Sequence, residues 1–152
     1  MAKRTATKKR RHAKNNTRKH VATRNHTNNS SLVKQMLELL VMVRLYHWKT
    51  HSYAQHKATD ELYEKLDNLV DQFVEVLLGK SQTRVSMIDK YLRMYDFDNT
   101  QELKDQIFEY RQFLQDMNRV LDPKKDSDLL NIRDEMLANL NQFLYLLSFD
   151  KV

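Results

Sequence analysis

The chain has 152 residues, with 26 Lys and Arg against 20 Asp and Glu, one Gly, one Pro and no Cys. So few turn-formers argue against a sheet sandwich or barrel and leave no glycine-rich phosphate loop, while the missing Cys removes disulfides, zinc–thiolate sites, iron–sulfur clusters and thiol nucleophiles. No apolar run reaches the ~18 residues that a membrane span requires, so composition leaves a soluble, mostly helical protein with one domain-sized core.

The formal charge of +6 divides unevenly along the chain. Residues 1–31 carry ten basic residues (Lys3, Arg4, Lys8, Lys9, Arg10, Arg11, Lys14, Arg18, Lys19, Arg24) and no acid, and after Met1 only Val21 is a sizeable apolar residue. Such a segment buries too little surface to offset its ordering entropy, so the sequence reads as a disordered basic arm, 1–31, ahead of a mildly acidic body, 32–152. A dense positive arm suits DNA or RNA phosphates, whose counterions it releases. It lacks aromatic residues to stack on bases, so binding should follow backbone charge and ignore sequence. The same charges also fit a solubilising tail or an import signal around Lys8-Lys9-Arg10-Arg11. The arm has no apolar stretch of the kind a secretory signal needs.

From Leu32 the spacing predicts helices. Asn28, Asn29, Ser30 and Ser31 are N-cap residues ahead of a segment running to about Lys49 that is apolar nearly all round, which calls for partners on two sides. A second helix is expected from about Tyr53 to Leu78, with Gly79 as its stop. Val85, Ile88, Leu92 and Tyr95 suggest a short connecting helix. Asn99 and Glu102 form a capping-box pattern for a third helix, carried by Leu103, Ile107, Tyr110, Leu114, Met117 and Leu121 and ended by Pro123. A fourth shows Leu129, Ile132, Met136, Leu140, Phe143 and Leu147. The expected fold is all-α: a four-helix bundle with a short helix in the crossover between the second and third helices.

The second helix concentrates the chemistry. Opposite its apolar stripe stand His56, Asp60, Glu64, Asp67, Asp71 and Glu75, each three or four positions apart. Aligned carboxylates at this spacing repel unless something compensates them, although an acidic stripe also fits a plain solvated face. His56 and Glu75, and likewise Asp60 and Asp71, are placed symmetrically about the point between residues 65 and 66. Two copies of this helix packed antiparallel on a two-fold therefore bring His56 and Asp60 of one chain opposite Glu75 and Asp71 of the other. His47, late on the first helix, is either a buried hydrogen-bonded imidazole or a further ligand. Imidazoles with carboxylates suit Fe(II), Mn(II) or Zn(II). No Glu-x-x-His motif is present, which disfavours a metal site in the bundle core.

His47-Trp48, His56-x-x-x-Asp60-Glu61-Leu62-Tyr63 and Asp71-x-x-x-Glu75 together resemble the Dps family, the DNA-binding proteins from starved cells, or mini-ferritins. Nine positions separate His47 from His56 here where that family typically has twelve, and the family's turn glycine is absent. The resemblance implies a ferritin-like bundle and a homo-oligomer built through two-folds, of the dodecamer type. It further implies Fe(II) bound and oxidised between subunits by His47, His56 and Asp60 of one chain with Asp71 and Glu75 of its mate. Trp48 would stand beside that site, iron would be stored inside, and DNA would be bound and compacted through the basic arms. The alternative expectation is a histone-like DNA-packaging protein with the same fold and no iron oxidation. Either reading places the protein with DNA and away from membranes, in the cytoplasm as part of a nucleoid, with a nucleus or a DNA-virus particle as the alternatives.

Overall fold

The computed structural model describes residues 29–149; the ten basic arm residues, Lys3 to Arg24, lie outside them. Among the described residues the structure is all-helical, with four α-helices, one 3-10 turn and no strand. The helices are α1 (29–49), α2 (Tyr53–Ser81), α3 (Thr100–Asp116), continued by a 3-10 turn (Met117–Arg119), and α4 (Ser127–Leu146). No described helix is long and apolar enough to cross a membrane.

One core joins all four helices. Met36, Leu39, Met42 and Val43 of α1 meet Leu66 and Phe73 of α2, Leu103, Ile107 and Leu114 of α3, and Leu129, Met136 and Leu140 of α4, all essentially inaccessible. Each such side chain contributes about 1.5–3 kcal/mol by leaving water. Polar contacts at the helix ends give the directions. Lys80 at the end of α2 pairs with Asp126 and Asp128 at the start of α4, at 3.2 and 2.7 Å. Lys104 near the start of α3 donates to Leu147 O at 2.9 Å. Tyr46 Oη, late on α1, reaches Gln55 at the start of α2 (2.7 Å) and Thr100 at the start of α3 (3.0 Å). So α2 and α3 both run against α1, and α4 runs with it.

Two expected features differ in the structure. The crossover contains no helix: residues 83–97 have no regular structure, and Ile88, Tyr91 and Met94 are largely exposed. Reach explains this. Ile88 N donates to Ser30 Oγ (3.0 Å), Arg93 N to Glu38 Oε1 (2.8 Å), and Lys49 Nζ binds Asp98 at 3.3 Å. The strand of chain between residues 88 and 98 thus follows α1 from residue 30 to residue 49, about 28 Å of helix at 1.5 Å per residue. A helix of that many residues spans about 15 Å, whereas extended chain spans about 33 Å. Glu38, buried at 6% exposure, and Lys34, bonded to Asp89, fasten the strap at its middle.

Gly79 is not the stop of α2 either. The helix runs on to Ser81 and ends at Gln82, in the left-handed conformation (φ 54°), whose N–H reaches Leu78 O. At the other crossover end the cap forms as the spacing predicts: Asn99 Oδ1 accepts from Glu102 N (3.0 Å), and Glu102 reaches back to Asp98 N (3.2 Å). α3 itself stops at Asp116, before Pro123, and the 3-10 turn carries Met117 into the core.

Candidate functional site

The site forms where α1 turns into α2. Thr50, His51 and Ser52 are the whole connection, closed by Thr50 N to Tyr46 O (3.0 Å) and Gln55 N to Ser52 Oγ (3.3 Å). A turn this short lays the last turn of α1 beside the first turn of α2, so His47 and His56 stack with ring centroids 3.9 Å apart and planes inclined by 23°. Each ring bonds the other residue's backbone. His47 Nδ1 donates to His56 O (3.0 Å), and His56 Nδ1 donates to His47 O (3.1 Å). Two structural needs are met at once, since His47 O is among the last carbonyls of α1, which have no partner within the helix.

These bonds also fix the chemistry of the rings. A carbonyl only accepts, so in the neutral imidazole each Nδ1 carries the proton and each Nε2 keeps its lone pair. An Nδ1–H held on a backbone carbonyl is the arrangement that orients metal-binding histidines. Thr59, fully buried, donates to Gln55 O (2.8 Å) and lies 3.3 Å from His47 Nδ1, closing the pocket behind the ring. His47 is buried and His56 exposed.

Asp60, one turn after His56, turns its Oδ1 to the same place, 4.0 Å from His47 Nε2 and 3.7 Å from Arg44 Nη1. Two ligands of one tetrahedral metal stand about 3.4 Å apart at bond lengths near 2.1 Å, so this pair sits slightly wide. Arg44 lies over Tyr63, its Cζ 3.6 Å from the ring centroid. The sequence pattern named Tyr63 within a motif but gave it no role, and did not single out Arg44 or Thr59. Arg44 precedes His47 by three and Tyr63 follows Asp60 by three, so one helical turn from each candidate was the signal that points to them.

Asp71 and Glu75 do not join this cluster. They lie on the same helix as Asp60, the first of them about 16 Å further along, and both are exposed. Among the described residues no three His, Asp or Glu side chains gather closely enough to hold a metal. Nor does any described Lys or Arg pair with Glu64, Asp67, Asp71 or Glu75; Arg44 with Asp60 is the ion pair of that face. Trp48 points outward, 71% exposed, and continues a stripe of Leu37, Val41 and Leu45 along α1 that the described residues leave open or half-covered. Among the described residues, then, no second partner covers α1 on this side.

Residues 47–147 match the model of a family described as "Family of unknown function (DUF5856)". A protein of Enterobacteria phage T4, described as an uncharacterized 14.6 kDa protein in the mobD-ri intergenic region, is 40% identical over 55 residues, 34% of this chain and 43% of that protein. The match therefore spans less than half the length of this curated relative. No solved structure matches. The resemblance to the DNA-binding proteins from starved cells is corrected by these findings: the family that matches is a different one, of unknown function, and neither match gives evidence of a ferritin-like protein. The physical reason is that His and Asp, or Asp and Glu, four apart specify one face of a helix and recur wherever such a face is polar.

Proposed function

The chain belongs to DUF5856, a family of unknown function, and we propose that it is a metal-binding helical bundle that takes Fe(II) as its substrate at sites shared between two copies. In this reading His47, His56 and Asp60 form one half of each site, and Asp71 and Glu75 of a second copy form the other. The observation that carries it is the reciprocal tie of the two histidines, which leaves both Nε2 lone pairs free of the proton, that of His47 4.0 Å from the Asp60 carboxylate. Two imidazoles hold Fe(II), and the added carboxylates favour Fe(III), so the combination suits oxidation by peroxide or oxygen.

Three further facts support a second copy. The four positions are symmetric along α2, the acidic face beyond Asp60 lacks basic partners among the described residues, and the described residues leave the Leu37–Trp48 stripe of α1 open or half-covered. In the same reading the basic arm binds DNA through phosphate charge, and the −4 body contributes nothing to that binding. Deleting residues 1–28 should abolish duplex binding at low salt and leave metal binding intact.

A second reading has its own support: an arm that packages DNA on a bundle without redox activity. Arg44 already occupies Asp60, and the histidine pair has a complete structural role in closing the α1–α2 turn. Anaerobic titration of the full chain with Co(II), read by visible absorption, separates the two. Saturable binding lost in His56→Ala supports the first, and absence of binding supports the second.

A further inference from the structure

We infer that Arg44 is the residue that sets the metal affinity of this site, by occupying the Asp60 carboxylate until a cation displaces it. The inference rests on the proposed metal site and adds to it a competitor built into the same chain. Asp60 Oδ1 lies 3.7 Å from Arg44 Nη1 and 4.0 Å from His47 Nε2. A metal joining His47 to Asp60 takes up that oxygen and places a double positive charge next to the guanidinium. The two cations repel across a few ångströms, so they exclude one another at Asp60.

Tyr63 is what makes the exchange workable. Arg44 rests on the Tyr63 ring at 3.6 Å, a contact that does not depend on Asp60. When a metal takes the carboxylate, the guanidinium keeps this cation–π contact and swings only its Nη1 end away. Both partners of the ion pair are about one-third exposed, 31% and 36%, so the pair is weak enough to be displaced. Closing the 4.0 Å gap between His47 Nε2 and Asp60 by about half an ångström is the movement that release of Asp60 permits.

The test compares wild type, Arg44→Met, Arg44→Lys and His56→Ala, all full-length, by competition of Zn(II) against a chromophoric chelator. Arg44→Met retains the apolar stem over Tyr63 and removes the charge. It should tighten Zn(II) binding about tenfold, from loss of the ion pair and of the repulsion. Arg44→Lys should bind as wild type or at most about threefold tighter, because a lysine still pairs with Asp60 but lacks the contact of the guanidinium with Tyr63. Equal or weaker affinity in Arg44→Met, with a wild-type melting curve, overturns the inference while wild-type binding lost in His56→Ala leaves the site itself standing. If wild type and Arg44→Met both fail to bind, the metal site fails and this inference falls with it. Tighter binding in Arg44→Met that persists in an Arg44→Met, Asp60→Asn double variant also overturns it, since the competition must act through Asp60.

Discussion

Replacing His47 by two different residues separates its structural from its chemical part. The ring is 7% exposed, and its Nδ1–H bonds His56 O at 3.0 Å with Thr59 Oγ1 at 3.3 Å behind it. His47→Ala leaves a cavity and a carbonyl without its donor, at a cost of about 2–3 kcal/mol. Asn carries an amide N–H at nearly the position of Nδ1 and has nothing at the position of Nε2. His47→Asn should therefore retain the bond to His56 O and lose less than about 1 kcal/mol. Urea unfolding at matched protein concentration reads the difference, a midpoint shift of about 1 M for the alanine variant and under half that for the asparagine variant. Metal binding should be weakened in both alike, because both lack Nε2. An asparagine variant that binds Co(II) as wild type refutes the ligand role, and an alanine variant of wild-type stability refutes the account of the turn.

Gly79 lies inside α2, and a Cβ there meets no atom within 4 Å. Gly79→Ala should raise stability by about 0.5–1 kcal/mol in the same urea assay, where a true helix stop would lose stability. The crossover strap should loosen in acid. The Lys34 ammonium, with help from Tyr91 N–H, holds the Asp89 carboxyl below its ordinary value of 3.8. Because the folded value is depressed, the pairing is fully present above that ordinary value and is lost as pH falls through the lower folded one. Amide exchange at residues 86–94, followed by NMR and taken relative to the intrinsic rate at each pH, should show less protection at about pH 3 than at about pH 5 in wild type, and little protection at either in Asp89→Asn.

The helices themselves were legible because each carries an apolar stripe at 3–4 spacing: Leu66 and Phe73, Ile107 and Leu114, Met136 and Leu140 all reach the core they imply. The Asn99 cap was legible for the same local reason. The crossover was not. Val85, Ile88, Leu92 and Tyr95 have helical spacing, but the span that the strap must cover is a property of where α1 lies, and only Tyr95 and Phe97 pack on the core. At the site, the types and intervals of His47, His56 and Asp60 pointed to one place; the three-residue turn stacks His47 on His56 and leaves Asp60 4.0 Å from His47, short of a three-ligand group among the described residues. Arg44 was hidden because its effect depends on a neighbour in another helix. The same locality explains why the intervals misled about family: they describe a helix face that unrelated chains also need.

The shared site is tested most directly by mixing two defective chains. His56→Ala damages one half of each site and Glu75→Ala the other, so a dimer of either variant alone holds two damaged sites. In a mixed dimer on a two-fold, one site gathers both substitutions, and the other joins an intact His56 half to an intact Glu75 half. Each variant is refolded separately and then together, mixed dimers are confirmed by native mass spectrometry, and Fe(II) oxidation is followed by stopped flow. The account predicts negligible oxidation in either variant alone and recovery of one wild-type site per mixed dimer. Confirmed mixed dimers with no recovered oxidation would contradict it.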